Sequence, residues 1–286
     1  MAHGTPSSLD EMPEYLTNVR GGRPASEELI AEMRHHYRAI GGQSPLTAIT
    51  LAQVEALQRE LGTEIPVAAG MRNWKPFIAD AIGSLTAAGA RRIIGIPLAP
   101  QFSTLSVQKY LDAASTAVPD GVRFEAVQSF HRHPLLIDAF GERLRDAAPG
   151  PDEVVTFTAH SLPARAIAAG DRYPEEVAAT ARAVAERAEL TRYELAYQSA
   201  GRTGEPWIGP DLGEIIDQLS GAGVKKLLIA PIGFVCDHTE ILYDIDIEAA
   251  QMARERGMTL RRTESLNTSS TFIAALEDIV RGLTQD

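Results

Sequence analysis

The sequence predicts an α/β protein of two similar Rossmann-like domains, each a parallel β-sheet flanked by helices, with a cleft between them. Three observations carry this. Short apolar runs alternate with helical patterns almost throughout the 286 residues, as expected of βαβ units. Laying Pro76 on Pro210 aligns "PFIADAIGSLTAAGARRIIGIPLAPQFSTLSVQKY" with "PDLGEIIDQLSGAGVKKLLIAPIGFVCDHTEILYD" without a gap, bringing Leu85, Gly89 and Pro97 onto Leu219, Gly223 and Pro231. Finally, "AHGTP" at 2–6 matches "AHSLP" at 159–163.

In chain order, the pattern predicts helices near 26–39 and 47–61, a strand at "EIPVAA" (64–69) and a helix near 76–88. There follow a strand at "RRIIGIP" (91–97), a helix near 104–117, a strand at "VRFEAVQ" (122–128) and a helix near 134–147. The stretch "DAAPGPDE" (146–153), where proline, glycine and charge cluster, is the boundary between a domain over 1–149 and another over 150–286. The second domain reads strand "EVVTFTA" (153–159), helix 174–188, strand "YELAYQ" (193–198), helix 210–220 and strand "KKLLIAP" (225–231). A helix near 238–256, a strand at "TLRRTES" (259–265) and a helix near 269–283 complete it.

The bulk numbers restrict the function. A content of 44% hydrophobic and 23% charged residues is that of a soluble globular protein. A net charge of −11 argues against nucleic acid or an anionic membrane surface as the main partner. The one cysteine, Cys236, excludes an internal disulfide and a cysteine-based zinc or iron–sulfur site within one chain, and fits a reducing compartment. No apolar run approaches the roughly 20 residues of a membrane span, and the N-terminus has no secretory pattern. A cytoplasmic location is expected.

One stretch needs explaining. "DHTEILYDIDIE" (237–248) holds five acids, and with a helical period Asp237, Glu240, Asp244 and Glu248 form a column beside an apolar stripe of Ile241, Leu242, Ile245 and Ala249. Like charges four apart cost a helix roughly 0.2–0.5 kcal/mol per pair, so something outside the stretch must offset them. Two readings stand: a solvated acidic face, or a ladder that handles cations or protons inside a cleft. The repeat favours the ladder, because the first half places Ser103, Thr104, Ser106 and Tyr110 opposite Asp237, His238, Glu240 and Asp244.

Ligands of parallel α/β sheets bind beyond the carboxyl ends of the strands. His160 ends one strand and the acids begin just after another, so an imidazole and a carboxylate share a rim suited to a divalent metal in transit or to a proton relay. The plainer reading of "HSLPARA" is a strand-to-helix turn with Ser161 as cap and His160 as packing. His131 and His133 in "SFHRHP" form either a metal pair or two unliganded loop residues. Arg34, His35, His36 and Arg38 form either a solvated basic face or a site for an anion.

The motifs "FTAHSLP" and "PIGFVCDHTEILYDID" closely resemble the two signatures of ferrochelatases, and "HGTP", "RAIGGQSPL" and "LAPQFSTLSVQKYL" resemble the family's other landmarks in the same order. The region from "GTP" through "VRGGR" to "YRAIGGQSPL" is most similar to the coproporphyrin ferrochelatases. The resemblance implies insertion of Fe²⁺, as substrate, into coproporphyrin III, with no organic cofactor and no iron–sulfur cluster. It makes His160 and Glu240 the catalytic pair and continues the metal path to Asp244 and Glu248, with a second divalent metal near Glu248. His3, Arg20, His36, Tyr37, Ser44 and Tyr110 fall at porphyrin-contacting positions. His3 replaces the usual axial tyrosine, and His36 replaces an arginine. The apolar strand that precedes "GTP" in the family is here truncated or very short. A monomer with haem-pathway proteins as partners is expected.

Other readings compete with this one. They are a sirohydrochlorin-type cobalt or iron chelatase and a non-catalytic haem or porphyrin carrier. A nucleotide-binding enzyme is weaker, since no G-x-G-x-x-G or P-loop follows a strand.

Overall fold

The computed structural model describes residues 1–201 and 204–284. The first half contains α1 (Met12–Val19), α2 (Glu27–Ala39), α3 (Leu46–Leu61) and α4 (Ile78–Ala87), then β1 (Arg92–Gly95), α5 (Val107–Ala117), β2 (Arg123–Ala126) and α6 (Pro134–Ala147). The second half runs through β3 (Glu153–His160), α7 (Ala164–Ala168), α8 (Tyr173–Arg187), β4 (Glu194–Gln198), α9 (Leu212–Gly221) and β5 (Lys226–Pro231). A π-helix (Glu240–Ala249) comes next, then α10 (Ala250–Glu255), β6 (Thr259–Arg262) and α11 (Ser270–Thr284).

Among the described residues, the pairings between these strands are all parallel. β1 pairs with β2, and the second sheet has the order β4-β3-β5-β6. Parallel strands covered by helices on both faces read as near-continuous apolar runs, as "KLLIAP" does, and in β3 the threonines Thr156 and Thr158 between the apolar residues are buried as well. On one face, Val155, Phe157 and Ala159 of β3 pack with Leu136 and Phe140 of α6, Val177 and Val184 of α8 and Phe272 of α11. On the other, Leu227 and Ile229 of β5 meet Ile216 of α9 and Ile241 and Ile245 of the π-helix.

The two halves repeat down to their caps. The Phe77 amide donates to Asp80 Oδ2 (2.9 Å) before α4, and the Asp211 amide donates to Glu214 Oε2 (2.8 Å) before α9. Both helices follow a cis proline, Pro76 and Pro210. Polar staples join the halves. Buried Asp171 accepts from Ser103 Oγ (3.0 Å) and from the Thr104 amide (2.7 Å) and hydroxyl (2.7 Å). Glu176 accepts from the Phe102 amide and Ser129 Oγ, both at 2.7 Å. The C-terminal α11 packs back on α3 and α6 of the first half.

Several expectations need correction. "EIPVAA" forms no strand: Gln58 of α3 satisfies its backbone instead, Nε2 donating to the Ile65 carbonyl (3.1 Å) and Oε1 accepting the Val67 amide (2.8 Å). The helix expected over 238–256 is a π-helix followed by a short α-helix. Two α-helices among the described residues went unpredicted. α1 follows a turn in which Glu11 takes the Ser7 and Ser8 amides, a signal visible as S-x-x-E, and α7, at five residues, is too short to show a period. Ser161 caps nothing, because its hydroxyl donates to the Ile208 carbonyl at 2.7 Å.

Phe157 is fully buried at the centre of the larger core. Replacing it with alanine is expected to cost about 3–5 kcal/mol, measured as a lower midpoint of denaturant unfolding. A loss under about 1 kcal/mol contradicts that placement.

Candidate active site

His160 is the last residue of β3, and Glu240 opens the π-helix just beyond β5, so adjacent parallel strands deliver both side chains to one rim. His160 Nε2 and Glu240 Oε1 lie 3.6 Å apart, an ion-pair distance longer than a direct hydrogen bond. His238, in the next turn back, points Nε2 at the other carboxylate oxygen, also at 3.6 Å. Side-chain exposures of 31% for His160 and 40% for Glu240 leave both within reach of a substrate.

The electrostatics follow from this geometry. Burial opposes a charge on His160, but Glu240 outweighs it, and the imidazole is pushed up to about 9 with help from the Ser161 carbonyl and Asp244. His160 Nδ1 is hydrogen-bonded to that carbonyl while Nε2 faces Glu240, so both ring nitrogens meet acceptors, as an imidazolium requires. Burial alone would raise Glu240, but His160 and then His238 hold it well below the usual carboxylate range. Asp244, next along the helix, is raised by burial to about 7, Glu240 and Glu248 adding to the effect against a hydrogen bond from Ser199 Oγ. Glu248 is exposed. The three acids therefore run from a half-open interior to solvent.

Not every acid of the stretch belongs to this run. Arg262, at the end of β6, makes a two-pronged pair with Asp246 (2.7 and 3.0 Å) and also meets Asp237 at 3.0 Å. Ser265 and Asn267 hold Asp237 further, at 2.8 and 2.9 Å. The expected four-member column thus loses Asp237 to the fold. Arg262 offsets Asp237 and Asp246 only, and Glu240, Asp244 and Glu248 are left without an arginine partner among the described residues. Their spacing of four suits the wider i→i+5 turns of a π-helix, a rare form that frequently occurs at functional sites. Ile241, Ile245 and Ala249 anchor its other face in the core.

The remaining expected residues are placed unequally. Tyr37 is 2% exposed, and its phenol lies beside Thr239 and Tyr15; burial pushes it up to about 12. Buried Tyr110 of α5 is within electrostatic reach of Glu240 and Arg72. His3 approaches the same centre, with Nε2 3.0 Å from the Tyr15 hydroxyl and Asn73 Nδ2 at 3.2 Å, and burial lowers it to about 4, so it is neutral. His36 stacks on Tyr243 of the π-helix, ring centroids 3.8 Å apart, linking α2 to the ladder. Ser44 is buried, its hydroxyl 3.5 Å from the Leu46 amide at the start of α3, whereas Arg20 is exposed at the end of α1.

Sequence reasoning missed several contributors. Gln198, ending β4, donates to the Glu240 carbonyl at 3.1 Å and so fixes the first π turn. Ser199 holds Asp244, and Trp207 lies with its ring centroid 6.4 Å from that of His160. Only the strand-end position of Gln198 could have signalled any of these. His131 and His133 turn to different partners: His131 contacts Ser129 (2.7 Å) and Glu176 (3.2 Å), while His133 contacts Asp278 (3.1 Å). Among the described residues, no group of three or more His, Cys, Asp or Glu is arranged to hold a metal ion.

A family model for ferrochelatase matches residues 1–283. The chain belongs to the ferrochelatase family. A ferrochelatase of Deinococcus radiodurans is 42% identical to it, covering 98% of this chain and 93% of its relative, and one of Herpetosiphon aurantiacus is 40% identical over 99% and 97%. A coproporphyrin III ferrochelatase of a Geobacillus species is 38% identical over 98% and 95%. Among solved structures, the sirohydrochlorin chelatase SirB of Bacillus subtilis subspecies spizizenii, in complex with cobalt, superposes with a TM-score of 0.60 at 12% identity, covering 84% of this chain and 89% of that one. The structure of CbiX superposes at 0.56 and 14% identity over 98% and 96%. These likenesses establish the chelatase-like two-domain fold.

The pair makes a direct prediction. Removing the charge with Glu240→Gln leaves the effect of burial on His160 unopposed by its main partner, so the imidazole should titrate well below about 9, towards or under its ordinary 6.5. NMR titration of His160 reads this. The sign also fixes stability: the contribution of the raised imidazole is complete below about pH 6.5 and is lost as pH rises through about 9, while that of the lowered Glu240 carboxylate is complete above its ordinary 4.5 and is lost in stronger acid. An unchanged titration in the variant contradicts the pairing.

Proposed function

We propose that the protein inserts Fe²⁺ into coproporphyrin III, giving the iron complex and two protons, as a step of haem biosynthesis. The observation that carries this reading is the His160–Glu240 pair at the open rim, with Asp244 and Glu248 leading from it to solvent. Membership of the ferrochelatase family supports the reaction. The relatives named coproporphyrin III ferrochelatases, at 37–38% identity, support the substrate.

Metal insertion needs a base over the ring and an exit for two pyrrole protons. With Glu240 ionised beside it, His160 carries a proton at neutral pH and must pass it on before accepting one from the porphyrin. Asp244, raised to about 7, is the group poised to carry protons between this pair and the exposed Glu248. The same carboxylates can attract hydrated iron and guide it inward, and Glu248 is where a second hydrated divalent ion meets the path. Tyr37 and Tyr110 present walls to the macrocycle, while Arg20, His36 and Ser44 serve its propionates. His3 is tied to Tyr15 and Asn73, so ligation of product iron requires it to release one of them. We take the protein to be a cytoplasmic monomer of two domains, 1–149 and 150–286, that works with other haem-pathway proteins. Among the described residues, no helix is long and apolar enough to cross a membrane.

Anaerobic mixing of the protein with Fe²⁺ and coproporphyrin III should produce the metalloporphyrin spectrum, faster than with protoporphyrin IX. His160→Ala should lower kcat at least about 100-fold, the lower end of what a positioned acid or base supplies. Absence of turnover by the unmodified protein, or full turnover by the variant, rules the assignment out. Because a relay works through its ionised form, the rate should climb with pH through about 7. Asp244→Asn should flatten that limb, and a profile identical to the parent's removes Asp244 from the path.

A further inference from the structure

The iron chemistry makes no use of "SFHRHP" (129–134), which joins β2 to α6. The segment leaves the carboxyl end of β2, the side of a parallel sheet on which ligands bind. The His133 amide donates to the Phe130 carbonyl at 2.9 Å, so 130–133 is a tight turn with His131 and Arg132 at its two central positions. Contacts on both sides fix this turn. The Phe130 amide donates to the Pro100 carbonyl (3.0 Å), and Ser129 Oγ lies 3.1 Å from the same oxygen. On the other side, His133 Nε2 meets Asp278 of α11 at 3.1 Å.

Between the turn and the end of α11 lies a groove of about 640 Å³, within the roughly 300–1,000 Å³ of small-molecule sites. Val127, Phe130, Ile279 and Leu283 form its apolar lining. Arg92 steadies the α11 wall, its guanidinium donating to the Leu283 carbonyl. His131 and Arg132 line the groove as well. The Arg132 guanidinium is exposed and makes no hydrogen bond or ion pair among the described residues. The acids nearby are engaged elsewhere. Glu176 accepts from the Phe102 amide and Ser129 Oγ, both at 2.7 Å, and Asp278 faces His133. Ser129 and Glu176 take His131 Nδ1, at 2.7 and 3.2 Å, so Nε2 is the ring nitrogen left for an occupant. One unpaired positive charge thus stands beside an apolar floor, in a chain whose net charge is −11.

We propose that this groove binds a small amphipathic monocarboxylate, its apolar body against Phe130, Val127 and the end of α11, its carboxylate on Arg132 and within reach of His131. The planar guanidinium matches a carboxylate with two parallel hydrogen bonds. A single unpaired cation balances a single charge, whereas a phosphate monoester carries close to two and would desolvate the second without a partner. The apolar floor selects further, because a wholly hydrophilic acid gains nothing from covering it. Through His131, Ser129 and Glu176 the occupant touches the contacts that join the two halves. None of the residues assigned to iron or the macrocycle lines the groove, so this site and the iron chemistry stand or fall separately.

The test uses 2-naphthoate, a flat apolar monocarboxylate, with the neutral 2-naphthylmethanol and the dianionic 2-naphthyl phosphate as comparisons, each titrated into the full chain by calorimetry and NMR. Naphthoate should bind with a Kd below about 1 mM and shift the His131 ring signals while those of His160 stay in place. The alcohol should bind at least about tenfold more weakly, since it forfeits the charge-assisted contact, and the phosphate should also bind more weakly. Arg132→Glu should weaken naphthoate at least about tenfold with an unchanged circular dichroism spectrum, and Leu283→Glu, which puts a charge on the floor, should weaken it too. No binding up to that concentration, equal binding of acid and alcohol, or undiminished binding by either variant overturns the proposal. So does a shift at His160 without one at His131, and tighter binding of the phosphate overturns the choice of a carboxylate.

Discussion

Glu240 is an ionised carboxylate on the rim of a buried parallel sheet, and much of the candidate site is arranged around its charge. His160 is held charged by it, His238 flanks it, and Gln198 fixes the turn that presents it. The carboxylate stays ionised because two imidazoles meet it, one at each oxygen, against the cost of burial. Asp244 responds in the opposite sense, because burial raises it and it feels Glu240 as a like charge, against the Ser199 hydroxyl and the more distant His160. Neighbouring acids four residues apart are thus poised differently, one permanently charged and one near neutrality, which is the condition for passing a proton between them.

The asymmetry between the halves has a similar origin. Repeated α4 and α9, with matching caps and cis prolines, establish a common frame. Past the strand, the two copies diverge. In the first half, Ser103 and Thr104 are drawn into the buried Asp171 and lock the halves together, and α5 continues as an ordinary helix. In the second half, Arg262 with Ser265 and Asn267 absorbs Asp237, and a π-helix carries Glu240, Asp244 and Glu248 from the rim to solvent. One copy of the repeat became a structural clamp and the other a chemical wall.

Legibility from sequence was uneven for identifiable reasons. Buried parallel strands such as β3 and β5 announce themselves, since both faces demand apolar residues. α1 was written in Ser8 and Glu11, and a search for capping residues would have found it. The "EIPVAA" segment is as apolar as a strand, yet Gln58 takes over its backbone, an outcome set by a helix packed beside it. A π-helix has no distinct period over ten residues, so the 238–256 stretch read as α-helical. Ser199 and Trp207 reach the site from a loop between β4 and α9, where nothing periodic marks them.

By itself the sequence determined the two-fold α/β plan, the rim on which His160 and Glu240 stand, and the excess of acid in the second half, because strand composition and parallel topology fix which end of a sheet carries the site. Tertiary structure alone decided which acids are structural and which are available. That depended on where β6 places Arg262, more than ten residues beyond the ladder, and charge pairing across such a separation leaves no local pattern to read.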